Sequence, residues 1–395
     1  MPKYTPSSRI HEIFSASLIH PSTEEKFFAN PPKKKVKPFD PTCWVGVEVE
    51  VEKITQIWPS DTAIADDGFY NIDAKTHPHF PYLWLWKTEN DNSLKENGVE
   101  YISLPMRDEM IYAGLKSLEC FLDMFNPDHT FSTRCGTHIH VDCRNLTIEQ
   151  VVKFIFLYMI VEAGIYKQAG KDRAGNPFCV PLLHAKHYQN LPILYHSFRS
   201  GNIDRVIHVL KSWTKYTGCN LLALVSKGTI EFRHYSGTVN TDFLMKQINM
   251  IQSIRINAIS MSLDEVLRIV ESVTSISNYL SVFEKILGVP CFLSPDELKS
   301  AIEAGVLTIK QIVHFSEYLE RYTKVDPKSS LISKGIIEYV DLSTIAESYK
   351  HLLETDGNSS NYMIQKIILK HNQDLKKALT HLETVAVRSK ELRIQ

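Results

Sequence analysis

The chain carries almost no net charge: 44 lysines and arginines stand against 45 aspartates and glutamates, with a pI near neutral. No global field draws in nucleic acid, and its recognition is not expected. No uninterrupted apolar stretch reaches membrane-spanning length, and no basic and apolar signal segment is read near the N-terminus. The seven cysteines are odd in number, scattered, and without a CxxC pair. They read as reduced thiols of a cytoplasmic compartment rather than a disulfide frame. A Walker-type phosphate loop, GxxxxGK[ST], is missing, so any phosphate binding must rest on other elements. No convincing internal repeat is visible. After these exclusions there remains a 395-residue protein with an ample core and length for two domains.

What is present concentrates in CGTHIHVD, Cys135 to Asp142. As a strand it alternates with period two, so His138, His140 and Asp142 share one face, and Thr137, Ile139 and Val141 the other. The face with Ile139 and Val141 belongs on a core. Two imidazoles and a carboxylate on one face mean water, a metal site or a catalytic pocket. Two further strands repeat the pattern. In WVGVEVEVEKI, Trp44 to Ile54, the valines Val47, Val49 and Val51 oppose Glu48, Glu50 and Glu52. Same-face carboxylates lie about 7 Å apart at a rise of ~3.3 Å per residue, and glutamate is a poor strand former. Such a ladder is tolerable in water, whereas in a pocket a cation would relieve the repulsion. In GTIEFRHYSGT, Gly228 to Thr238, Glu231, Arg233 and Tyr235 oppose Ile230 and Phe232.

Three such strands predict an α+β fold: a curved, mainly antiparallel sheet with helices on its apolar side. Its other face would be rich in carboxylate, imidazole and guanidinium. Hard oxygen ligands suit magnesium, and a planar fork suits a phosphoryl group. Cys135 and Cys143 flank the histidine strand, which raises zinc as an alternative, but both fall on the face opposite the histidines.

Residues 1–40 read as an accessory segment, with a short helix over Ile10–His20 and the run PPKKKVKPF. The tetrad Lys33, Lys34, Lys35 and Lys37 resembles a nuclear-import or polyanion-contact patch, and a solvated linker is the plainer reading. The stretch from Trp58 to Pro81, with Asp61, Asp66, Asp67, Asp73, His77 and His79, is a long loop that serves as a substrate flap or a surface excursion. Tyr82–Lys87 is predicted as a strand, and GVEYISLP places Glu100 at a third acidic position. Ile111–Phe125 is an amphipathic helix. Thr147 and Gln150 make a capping box for a helix to about Lys167. Tyr188–Trp213 looks helical. Cys219–Leu224 is predicted as a strand turning through SKGT into the Glu231 strand, and Asn240 or Thr241 caps a helix to Ser260. Residues 41–261 form the expected catalytic domain, and 262–395 an all-helical module without a chemical signature. That module is the candidate surface for self-association or a protein partner.

Taken in order, GVEVEVE (46–52), DNSL (91–94), GVEYISLP (98–105), CGTHIHVD (135–142), DR (172–173) and TIEFRHYSGT (229–238) resemble the amidoligase family. These are carboxylate–amine ligases related to glutamate–cysteine ligase and glutamine synthetase. The resemblance covers roughly Thr42 to Ile259, and Asn92 stands where members typically carry glycine. It implies a catalytic domain like that of glutamine synthetase and an ATP-dependent ligase working with Mg2+ or Mn2+. Such an enzyme forms an amide or isopeptide bond between small-molecule or peptide substrates through an acyl phosphate. It further implies that Glu48, Glu50, Glu100 and Glu231 hold the ions. His138 would bind ion or phosphate with His140 beside it, Arg233 would stabilise the transferring phosphoryl, and Arg173 would grip the γ-phosphate or the acceptor carboxylate. Glu52 is expected beyond the pocket. A phosphotransferase ending at a phosphorylated amine and a non-catalytic binding member are the rival readings.

Overall fold

Alternating apolar and polar residues build one sheet, and the remaining elements are arranged about it. The structure is a computed structural model that describes residues 4–14, 22–29, 31–32, 35–55, 81–170, 173–184 and 190–325. Its strands are β1 (Val45–Val51), β2 (Trp86–Glu89), β3 (Val99–Ser103), β4 (Gly136–Asp142), β5 (Cys219–Asn220) and β6 (Thr229–Ser236). They run in the order β2-β3-β1-β4-β6-β5 with every pairing antiparallel. Register then decides which polar residues meet. Glu48 lies opposite His138, Glu50 opposite Glu100, and His140 opposite Glu231.

The helices are α1 (Ile10–Phe14), α2 (Ser22–Ala29), α3 (Glu109–Phe125), α4 (Ile148–Ala169), α5 (Asn190–Arg199), α6 (Ile203–Lys211) and α7 (Ala223–Ser226). They continue with α8 (Thr241–Ser260), α9 (Leu263–Ser272), α10 (Ile276–Leu287), α11 (Pro295–Ala301) and α12 (Thr308–Val325). Helix α4 packs on β6, α8 packs on β4, and the two helices pack on each other. They bury the face formed by Val45, Val47, Val49, Val51, Ile139, Val141, Ile230 and Phe232. The Thr147 hydroxyl accepts the Gln150 backbone N–H and the Gln150 side chain accepts that of Thr147, closing the expected capping box. Asn240 caps α8 in the same way, accepting from the Phe243 N–H at 2.8 Å. No helix among the described residues is long and apolar enough to cross a membrane.

Four local expectations need correction. Leu83–Leu85 is a 3-10 turn, and only Trp86–Glu89 is strand. There Trp86 pairs with Ser103, and its indole donates to the Gly114 carbonyl at 2.9 Å. Beyond Asn220 the chain leaves β5 and coils into α7, because Asn220 Oδ1 accepts the Leu222 N–H and turns the backbone. The helical stretch before Trp213 is two helices, α5 and α6, broken at Gly201. Finally, β6 bulges opposite His138: Tyr235 pairs with Thr137 but Phe232 with Ile139. The extra residue leaves Arg233 beside Glu231 and turns Tyr235 to the helix side, where it meets Phe243 of α8.

The segment before Asp40 is packed where it is described. Ile10 and Phe27 are fully buried, and Phe27 lies against Tyr82. Lys35 and Lys37 reach Glu109 and Asp108 at 3.7 and 3.5 Å, while Lys33 and Lys34 lie outside the described residues. So do residues 58–80, with their acidic and histidine side chains.

Residues 1–310 form one unit and 311–395 a second, of which α12 is described as far as Val325. In the first unit α9, α10, α11 and a π-helical turn at Ile302–Leu307 lie against α4. This explains why α4 is apolar nearly all round: it faces the sheet on one side and these helices on the other. Contacts are close. Tyr279 Oη donates to the Ile160 carbonyl at 2.7 Å, and a Cβ on Gly305 would come within 2.4 Å of the Met159 carbonyl oxygen. Gly305→Ala is therefore expected to destabilise the fold by about 1–3 kcal/mol, as overpacking against backbone does. Chemical denaturation checks this, and an unchanged midpoint would contradict the packing. Cutting the chain at Ser262 would bare this side of α4.

Candidate active site

On the face of the sheet away from α4, register brings six predicted side chains together. His138 Nδ1 lies 3.1 Å from Glu48 Oε2 and 3.6 Å from Glu231 Oε1, and its Nε2 lies 3.9 Å from Glu50. His140 Nε2 lies 3.1 Å from Glu48 and 3.9 Å from Glu231, while its Nδ1 lies 2.9 Å from the Thr229 hydroxyl. Glu50 accepts the Gly136 backbone N–H, and the space at Gly136 is tight. A Cβ would meet His138, Arg173 and Glu50 at 3.0, 3.2 and 3.3 Å. Two groups have ligand atoms within 4.8 Å of one another: Glu48 with Glu100 and His138, and Glu48 with His140 and Glu231. Glu48 is common to both. Among the described residues no cysteine joins these groups; Cys143 lies behind the sheet with its thiol on the Val141 carbonyl. Glu52 lies beyond the set and accepts the Lys95 backbone N–H at 2.9 Å. Around it Lys53, Glu96 and Asn97 all hold positive φ, a strained rim.

The carboxyls do not share one protonation state. Burial pushes the Glu48 carboxyl up, but His140 and His138, by charge and hydrogen bond, outweigh it and hold it well below the usual carboxylate range. Glu231 is likewise held down against burial by His140, Arg233 and His138. Glu100 goes the other way. Burial first, then the charges of Glu48, Glu50 and Asp91, push it up to about 8. This excess of negative charge is what a divalent cation relieves; the carboxylate oxygens suit Mg2+ or Mn2+, and the imidazoles favour Mn2+ of the two. The sign of the pH dependence follows. Below about pH 8 Glu100 holds a proton that an ion must displace, so Mn2+ affinity should rise with pH and level off above that value. Calorimetry at pH 7 in two buffers of different ionisation enthalpy should show about one proton released per ion bound. Equal heats in the two buffers would contradict it.

Lys227, which precedes β6, was not singled out from the sequence. Its Nζ lies 2.8 Å from Glu48 Oε1, although the side chain is 55% exposed. Burial alone would lower its pKa, but Glu48, Glu231 and Glu100 raise it. The ammonium thus contacts the same oxygen that a metal ion would use. Lys227→Met is expected to tighten Mn2+ binding in nucleotide-free protein about tenfold, ~1.4 kcal/mol. Weaker binding would show that the lysine supports the ion instead. Asn220 was missed too, and its Nδ2 donates to Glu231 Oε2 at 2.6 Å. Lys227 sits in the SKGT turn, a signal available in principle. Asn220 is two residues from nothing chemically telling, and only strand pairing reveals it.

Arg233 donates through Nη1 to Glu231 and through Nε to the Phe178 carbonyl at 3.3 Å, with His138 Nδ1 3.5 Å from Nη1. Arg173 is buried next to Glu50 and spends Nε and Nη2 on the carbonyls of His234 and Arg233, at 2.7 and 2.8 Å. It therefore clamps the bulge that aims Arg233. Behind the bulge, His234 is fully buried, and burial followed by the Arg173 charge lowers its pKa to about 3. The neutral ring donates from Nε2 to Tyr158 Oη at 2.6 Å, and Tyr158 donates to Glu162 at 2.7 Å. Glu162 also accepts the Leu182 N–H, tying the loop of Arg173 to α4.

A comparison with curated proteins returned no match. Residues 104–255 match the model of a family described as "Putative amidoligase enzyme". The match spans His138, His140, Arg173, Lys227, Glu231 and Arg233, and register places Glu48 opposite His138 and Glu50 opposite Glu100 on the same sheet. Over residues 104–255 the chain is thus similar to the amidoligase family.

Proposed function

We propose that the protein is an ATP-dependent carboxylate–amine ligase on a sheet related to the glutamine synthetase catalytic domain. The observation that carries this is one cluster of carboxylates and imidazoles sharing Glu48, with the Arg233 guanidinium fixed at its edge. Divalent ions held by Glu48, Glu100, Glu231, His138 and His140, with Glu50 beside them, would supply charge neutralisation for a triphosphate. A substrate carboxylate oxygen attacks the γ-phosphorus of ATP, and the bond to ADP breaks. The acyl phosphate is then attacked at carbon by an amine, which loses a proton as phosphate departs. Arg233 matches charge on the phosphoryl oxygens during the first step. Arg173 keeps it aimed by holding its backbone. Nucleotide binding tests the reading by calorimetry: ATP should bind in the presence of Mg2+ and bind far more weakly in EDTA. Equal affinity in both would contradict it.

A further inference from the structure

Two large aromatic side chains stand exposed beside Arg233. Phe178 is 45% and Tyr216 42% exposed, and their rings meet edge to face with centroids 5.8 Å apart. Neither ring is placed by chance of a loose loop. The Phe178 N–H is held by Asn176 Oδ1 at 2.9 Å, and its carbonyl accepts from Arg233 Nε at 3.3 Å. The Val180 N–H donates to the Tyr216 carbonyl and the Gly218 N–H to the Val180 carbonyl, both at 2.9 Å. Gly218 in turn accepts the Arg233 N–H at 2.8 Å. The two loops are therefore laced together and fastened to Arg233. Lys215 Nζ lies 5.3 Å from the Tyr216 ring centroid.

We propose that Phe178 and Tyr216 form a stacking shelf for the base of the nucleotide, an inference that rests on the nucleotide reading above. A nucleotide joins a planar π-face to a polyanion, and this corner of the site offers the complement of both. The rings are fixed to the backbone on either side of Arg233, so stacking costs little ordering. Base–aromatic stacking contributes about five- to a hundredfold in affinity per base by alanine substitution. It tolerates any base, since each has a π-face.

The test compares Mg-ATP with Mg-tripolyphosphate, which has the phosphates and no base. Phe178→Ala, Tyr216→Ala and the double variant are measured by calorimetry on the full chain, with circular dichroism to check folding. The expected result is a loss of ATP affinity of about tenfold or more in the double variant, with tripolyphosphate affinity unchanged. Unchanged ATP affinity would overturn the shelf, and so would an equal loss for both ligands, which would mean that the loop supports phosphate instead. Wild-type protein that binds the two ligands equally also overturns it while leaving the ligase reading standing. Wild-type protein that binds neither overturns that reading itself.

Discussion

Glu48→Gln is expected to abolish ion-dependent ATP binding while the protein stays folded. Glu48 is the one residue common to both ligand groups, and it also joins His138, His140 and Lys227. Losing an outer-shell partner of a metal ligand already costs ~10–100-fold in affinity, so losing this ligand should cost about a hundredfold or more. Stability should fall only modestly, because the amide keeps the shape while losing the charge attraction of His138, His140 and Lys227. The measurement is Mn2+ affinity by calorimetry beside thermal unfolding. A collapsed fold would make Glu48 a structural member of a buried ion cluster, and an unchanged affinity would move the ion elsewhere.

Arg233→Lys should separate chemistry from binding. The guanidinium donates to Glu231 through one edge and to the Phe178 carbonyl through Nε, which orients the fork next to the cluster. Lysine keeps the charge and loses the planar fork. Nucleotide affinity should therefore stay close to wild type, whereas the rate of the chemical step should fall about a hundredfold, ~3 kcal/mol, as for one lost oxyanion donor. The competing account is that Arg233 only neutralises Glu231. Weaker ATP binding with an unchanged rate would favour that account, so the rate constant and the affinity must be measured separately.

The part of this site that was legible in the sequence is the part fixed by period-two alternation. Glu48 and Glu50, His138 and His140, and Glu231 and Arg233 each share a face because neighbours two apart on a strand must. That these pairs then meet follows from register, which no single strand encodes. The bulge at Arg233 and His234 shows the limit most clearly. It appears only when β6 is paired with β4, and it moves Tyr235 from the predicted polar face to the helix side. Asn220 and Lys227 were hidden for a related reason, since Asn220 reaches Glu231 through the pairing of β5 with β6 and Lys227 reaches Glu48 from the turn before β6. Arg173 was visible as a residue of interest, but its attachment to two carbonyls of the bulge is a tertiary fact. Helices α9, α10 and α11 carry ordinary amphipathic spacing, which says that they pack without saying that α4 is what they pack on.

The most direct test of the account is the product. The protein is incubated with ATP, Mg2+ and mixtures of amino acids and short peptides, and the mixture is read by mass spectrometry with phosphate release measured in parallel. The account predicts ADP, phosphate and a new amide in equal amounts, all lost in Glu48→Gln. ATP consumption that yields a phosphorylated amine and no amide would contradict it and identify a phosphotransferase instead.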